Sequence, residues 1–224
     1  MKTLIFLLIL FTCCESPFAQ SSNATSRNSL GIQFVPLPLF DKNPRLRLGI
    51  EFRPNSSLGY SLEIGWANNA FKDMPIQGSV WGENYSAFEI RPQVKWYVNE
   101  SSGSELYLAT EIFYRKIKDR LHSKIYSQVN EEEYIFYEEA DILKEKFGIQ
   151  LMIGNKSFLT PHVFVEYYLG LGVGLRNHIY SNVVNPIPTE PPHAEWFPFE
   201  YNYAGKKWVG QYPLGLKIGY LIKK

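Results

Sequence analysis

The densest group of reactive side chains is Asp119-Arg120-Leu121-His122-Ser123. A carboxylate, an imidazole and a hydroxyl together are the parts of an activated nucleophile for acyl transfer. An enzyme that moves a lipid chain also needs an apolar pocket to hold it. The interior inferred below is charged, so these residues read as parts of a connecting loop. A second group is Glu131-Glu132-Glu133 with Glu138, Glu139 and Asp141. It offers hard oxygen ligands for a divalent cation, or for a cation bridge to lipopolysaccharide. Runs of like charge are more often a solvated surface, and the metal question stays open. His122, His162, His178 and His193 are not spaced as a metal pair on one strand face. No Gly-rich phosphate loop, His-Glu-x-x-His or Gly-x-Ser-x-Gly occurs. No cofactor is called for, and the expected role is non-enzymatic.

The third group of charges is spread along the chain with a fixed parity. Arg47, Glu51, Arg53, Glu63, Glu89, Arg91, Lys95, Glu111, Arg115, Lys146, Glu166 and Lys217 all occupy the polar positions of alternating segments. Both signs are present, so they can pair. Their positions depend on the elements that carry them.

Eight segments alternate with period 2, the pattern of strands. They are Leu30 to Val35, Leu46 to Arg53, Leu58 to Trp66, Phe88 to Val98, Leu106 to Lys116, Lys144 to Ile153, His162 to Arg176 and Tyr212 to Ile222. No amphipathic helix of ordinary length competes. Short connections rich in turn residues (Pro54 to Ser57, Asn99 to Ser104, Asn155 to Ser157) alternate with long ones (Pro36 to Arg45, Ala67 to Asn84, Lys118 to Leu143, Asn177 to Gly210). Short turns at one end and long loops at the other are the plan of an outer-membrane barrel. The expected fold is all-β, an eight-stranded antiparallel up-and-down transmembrane β-barrel in one domain. Ile135, Phe136 and Tyr137 interrupt the acidic run, which suggests that the fifth and sixth strands extend past the membrane and turn near Asn130. Pro92 and Pro161 predict local bulges.

The two faces decide between lipid and water outside. Ten of the 16 glycines fall within the segments and Gly154 directly follows one, all eleven on the charged face, where a narrow interior needs small residues. Burying the charges there requires them to form a salt-bridge and hydrogen-bond network. On the apolar face, aromatics cluster at both ends: Trp66, Tyr114 and Tyr212 at one, Phe52, Trp96 and Tyr220 at the other, as expected of two interfacial girdles. A soluble lipocalin-like carrier would turn its apolar face inward instead.

Length and composition agree with one folded domain: 224 residues, 45% hydrophobic, 16% aromatic. A net charge of +1 supplies no field for nucleic acid. At the N-terminus, Lys2, the apolar run Leu4 to Phe11 and Ser16-Pro17-Phe18-Ala19-Gln20 have the layout of a signal peptide over residues 1–20. Cleavage there removes Cys13 and Cys14, the only cysteines, and with them disulfides and thiol chemistry.

The signal ending Phe18-Ala19-Gln20, the strand Leu46-Arg-Leu-Gly-Ile-Glu-Phe-Arg53 and the closing Pro213-Leu-Gly-Leu-Lys-Ile-Gly-Tyr220 resemble small outer-membrane β-barrel proteins of Gram-negative bacteria, the OmpA/OmpX-like barrels and related families. The resemblance covers the mature chain as a pattern and carries no site motif. It implies residence in the cell outer membrane, with outer-membrane lipid and the barrel-assembly machinery as partners. Function would then lie in the long outer loops, as structural support or as binding of an extracellular ligand. A lipid-modifying barrel enzyme is the alternative of a different class.

Overall fold

A computed structural model describes residues 28–41, 43–71, 84–101, 103–128, 134–189 and 203–223. The expected signal peptide, the Glu131-Glu132-Glu133 run, Asn130 and the loop residues 190–202 lie outside these. The described residues form strands and two 3-10 turns, Leu37–Phe40 and Asn69–Phe71, with no α-helix. The strands are β1 (Ser29–Val35), β2 (Leu46–Arg53), β3 (Leu58–Ala67), β4 (Ser86–Ser101), β5 (Ser104–Gln128), β6 (Tyr134–Phe158), β7 (Val163–Val184), β8 (Ile187–Thr189), β9 (Tyr203–Gln211) and β10 (Leu214–Lys223).

Chain neighbours from β1 to β7 pair in order, β7 pairs with β10, and β10 returns to β1. Eight strands therefore close into a ring, and each of these neighbour pairs is antiparallel. β9 continues the line of β10. Gln211 faces Gly172 and Leu214 faces Leu169, one unbroken register on β7. Pro213 interrupts the line because it has no N–H, yet its carbonyl still accepts from the Gly170 N–H at 2.9 Å.

Turn chemistry sets the strand ends. Asn55 Oδ1 accepts from the N–H groups of Ser57 and Leu58, closing the β2–β3 turn. Between β6 and β7, Thr160 Oγ1 accepts from Val163 N–H at 2.9 Å. The turn is thus at 159–162, with Pro161 inside it. Asn155 to Ser157, expected as the turn, instead continue β6 opposite Tyr167 to Val165. Pro92 makes no register shift: Ile90 to Tyr114 and Gln93 to Glu111 keep one register, and the bulge of β4 lies between Tyr97 and Asn99. Proline removes only its own donor, and the ladder with β5 resumes in the same register after Arg91 and Pro92.

The third and fourth long connections are also largely strand. β5 and β6 are 25 residues each and pair from Ser104–Ser157 to Ser127–Tyr134. β7 reaches Val184, and β9 starts at Tyr203. At about 3.3 Å per residue, β5 is roughly 80 Å long. β2, with 8 residues, is a third of that length, so β5, β6, β7 and β9 rise as a wall beside the short strands.

The faces separate cleanly. Leu48, Ile50, Ile64, Leu151, Leu171 and Ile218 stand outward, with Leu151 63% exposed. Glu63 is 1% exposed and faces inward with the glycines. The glycine parity has a specific cause. Gly154 lies opposite Tyr107, Gly215 opposite Tyr168, Gly219 opposite Phe164 and Gly148 opposite Phe113. A Cβ on Gly215 or Gly219 would overlap the ring across from it. Each of these four rings occupies space that a side chain at the opposite glycine would need, which lets large aromatics fit inside so few strands.

Along β5 and β6 this polarity inverts. Below, the inside is polar (Glu111, Gln150) and the outside apolar (Ile112, Ile149, Leu151). Above the level of Tyr114, apolar residues join the inside: Ile117, Leu121, Ala140 and Ile142 are buried, alongside Asp119 and His178. The outside becomes charged: Lys116 lies 3.8 Å from Glu145, and Arg120 pairs with Glu139.

Candidate functional site

Strand parity places the interior charges, and cross-strand register joins them. Glu89 on β4 accepts from Arg47 at 2.9 Å and from Arg91 at 2.8 Å, and pairs with Arg45. Arg91 Nε donates to Glu111 at 2.7 Å. Arg47 also lies 3.5 Å from Glu63, which is 2.7 Å from Lys217. Lys217 faces Glu166 at 3.0 Å, and Glu166 is 2.6 Å from Lys95. Lys95 pairs with Glu51, and Glu51 with Lys156. Neutral groups use further lone pairs: the Tyr97 hydroxyl donates to Glu51 at 2.8 Å and that of Tyr107 to Glu166 at 2.7 Å. Gln33 Nε2 donates to Glu51 at 2.7 Å, and Gln150 donates to Glu111.

Of the charges named from sequence, Arg47, Glu51, Glu63, Glu89, Arg91, Lys95, Glu111, Glu166 and Lys217 share this one connected chain. Arg53 stands apart toward the short-turn end, 2.7 Å from Glu105. Arg115 is 3.7 Å from Asp41, and Lys146 makes no ion pair among the described residues. Sequence reading missed Arg45, Glu105 and Lys156 as interior charges, since Arg45 and Lys156 were assigned to connections and Glu105 fell between the turn ending at Ser104 and the strand beginning at Leu106. Continuing the strand parity past the apparent ends would have found Glu105 and Lys156. The same parity marks Arg45, two positions before Arg47.

Such an arrangement does structural work. Unpaired, each buried ion would cost several kcal/mol. Here each carboxylate of the chain meets at least one cation. Ammonium groups also rest on rings: Lys95 is 4.8 Å from the Tyr107 centroid and Lys217 5.0 Å from that of Tyr168. Lys95, Glu166 and Lys217 are wholly buried, which leaves no water-filled channel at their level.

The candidate acyl-transfer residues are not assembled. Asp119 is buried on the inner face, whereas His122 lies on the other face with Nδ1 3.5 Å from Glu139. Ser123 is exposed, with a positive φ of 51°. Among the described residues, no group of three His, Cys, Asp or Glu side chains could hold a metal ion. Glu138 and Asp141 accept instead from Asn185 and Asn182, at 2.8 and 2.7 Å.

Inside the wall, Leu121, Tyr137, Ala140 and Ile142 form a small apolar core. Tyr126 stacks on Tyr180 with centroids 4.3 Å apart, and Tyr137 meets both rings. His178 lies beneath, 8% exposed. Burial, with Lys144, Arg176, Arg115 and Lys146 around it, pushes its imidazole down to about 3. The folded chain thus binds this proton less readily than the unfolded chain does. Stability from the neutral ring is present above about pH 6.5 and is lost as the pH falls from there toward 3. In phosphate-free buffer, His178→Gln is expected to flatten this acid-side fall by at most about 5 kcal/mol. The difference between the two unfolding midpoints, followed against pH, measures it.

No family model matches the chain, and no curated protein matches it.

Proposed function

We propose that the ring is an eight-stranded, up-and-down transmembrane β-barrel of a Gram-negative outer membrane, non-enzymatic, with its upper wall serving as a surface for structural contact or binding. The polarity inversion along β5 and β6 carries this reading. A strand bathed in one solvent has no reason to exchange its inner and outer chemistry midway. A strand that leaves hydrocarbon for water does, because lipid favours apolar side chains outside and water favours charged ones. The apolar stretch from Leu106 to Tyr114 covers 9 positions. At a tilt near 40° that spans roughly 23 Å, close to the lipid-facing band of such barrels.

On this reading the expected signal peptide is removed and the N-terminus and short turns face the periplasm, with barrel-assembly machinery and outer-membrane lipid as partners. The charge chain fills the interior, so general diffusion is not its role. Trp208, Ile187 and Ile179 are exposed on the wall and supply apolar contact for a partner.

Fractionation tests this reading. The protein is expected in the outer-membrane fraction, resistant to carbonate and released by detergent, with a heat-dependent shift in gel mobility. Release by carbonate alone would support a soluble carrier and overturn the proposal.

A further inference from the structure

The charge chain is nearly balanced low in the ring, but the balance fails at one level higher up. Arg115 on β5 faces Lys146 on β6, Lys146 faces Arg176 on β7, and Arg176 faces Lys207 on β9. Four cations stand side by side on four adjacent strands. Like charges directly opposite one another are destabilising in a sheet. Low-dielectric surroundings make the repulsion larger.

The described residues supply little to offset it. Asp41 lies 3.7 Å from Arg115 and is shared with Arg45; Glu89 faces Arg115 across β4 but already pairs with Arg45, Arg47 and Arg91, and Asp119 is buried two inward positions further along β5. Lys146 and Arg176 make no ion pair among the described residues, and Arg176 Nε has no hydrogen-bond partner. One step above the row, His178 is 8% exposed with its Nδ1 unpartnered. One step below, Phe113, Gly148 and Gly174 face one another across the strands. The Lys146 stem passes over Gly174, with Cε 3.7 Å from where a Cβ would be. The Phe113 ring fills the floor over these glycines, and donors line the row and its roof.

We infer that this row is a binding site for a small phosphate-bearing anion entering from the wall end of the ring. Arg115 and Arg176 offer planar forks matched to a tetrahedral oxyanion. Lys146 between them offers a point charge, and His178 Nδ1 can donate from above in the corresponding tautomer. Lys207 closes the row at its exposed end. The site depends on the register of β5, β6, β7 and β9, and it holds whether lipid or water lies outside the ring.

Inorganic phosphate is the probe, with the folded full chain in detergent micelles and isothermal titration as the readout. Ionic strength is held constant with chloride. Binding in the millimolar range or tighter is expected for the wild type, with a rise in thermal midpoint that chloride does not reproduce. Lys146→Gln is expected to weaken binding at least tenfold and to raise the midpoint without phosphate, because it removes a repelled charge. Lys207→Gln, at the exposed end, is the variant least able to disturb folding, and it is expected to weaken binding severalfold. Absence of any phosphate-specific heat or midpoint rise in the wild type would overturn the inference. So would equal phosphate affinity in wild type and Lys207→Gln together with a lower phosphate-free midpoint for Lys146→Gln, since the row would then be neutralised by the chain's own carboxylates.

Discussion

Glu166→Ala is expected to lower stability by about 3–5 kcal/mol, the usual cost of removing one partner from a buried ion pair. Glu166 is wholly buried and touches Lys95 at 2.6 Å, Lys217 at 3.0 Å and the Tyr107 hydroxyl at 2.7 Å. Its loss leaves two buried ammonium groups with a single carboxylate each, Glu51 and Glu63, and strands the phenol. Denaturant unfolding in micelles reads the effect. Adding Lys95→Met to Glu166→Ala is expected to recover part of the loss, because the second change removes an uncompensated charge. Additive costs in the double variant, or a single-variant loss below about 0.5 kcal/mol, would mean that the ions are solvated and uncoupled.

The second large effect belongs to the outer face. Leu151→Arg is expected to cost about 2–4 kcal/mol in a bilayer, as for a cation near the hydrocarbon midplane. Leu151 is outward, between Ile149 and Ile153 on β6. Leu143 occupies the same face of the same strand beyond Glu145, above the inversion. Leu143→Arg is expected to cost no more than about 1 kcal/mol, the range near an interface. Strand propensity is similar at the two positions, so the contrast isolates the solvent each side chain meets. Equal small costs at both positions would mean that water surrounds the whole ring.

Much of the fold was legible because two faces of one strand met two different environments. Leu46, Leu48, Ile50 and Phe52 alternate with Arg47, Gly49, Glu51 and Arg53, and the structure keeps that alternation over the lower ring. Legibility failed where the two faces exchange chemistry. Above Tyr114 the apolar residues move inside, as with Ile117 and Leu121, so a search for one continuous apolar face stopped at Lys116. It also failed where turn-forming residue types occur within strands. Asn155-Lys156-Ser157 has the composition of a turn, yet cross-strand pairing with Tyr167 to Val165 outweighs local preference and sends Lys156 inward to Glu51.

The charges were legible as a set sharing one face, but their partners were not. Which carboxylate meets which cation depends on register across strands far apart in sequence, as Lys217 and Glu63 show. The cationic row of Arg115, Lys146, Arg176 and Lys207 was hidden for the same reason. Each residue looks ordinary in its own strand, and only the pairing of β5, β6, β7 and β9 lines them up.

Nitroxide labels on single cysteines at positions 147, 149, 151 and 153, with the protein in lipid vesicles, probe the outer face most directly. Cys13 and Cys14 lie in the expected signal peptide, so the mature chain offers no competing thiol. Collisions with oxygen should be frequent and collisions with a water-soluble nickel chelate rare, with the greatest contrast at 149 and 151. Free access of the nickel chelate to 149 and 151 would place water against Ile149 and Leu151 and contradict a membrane-spanning ring.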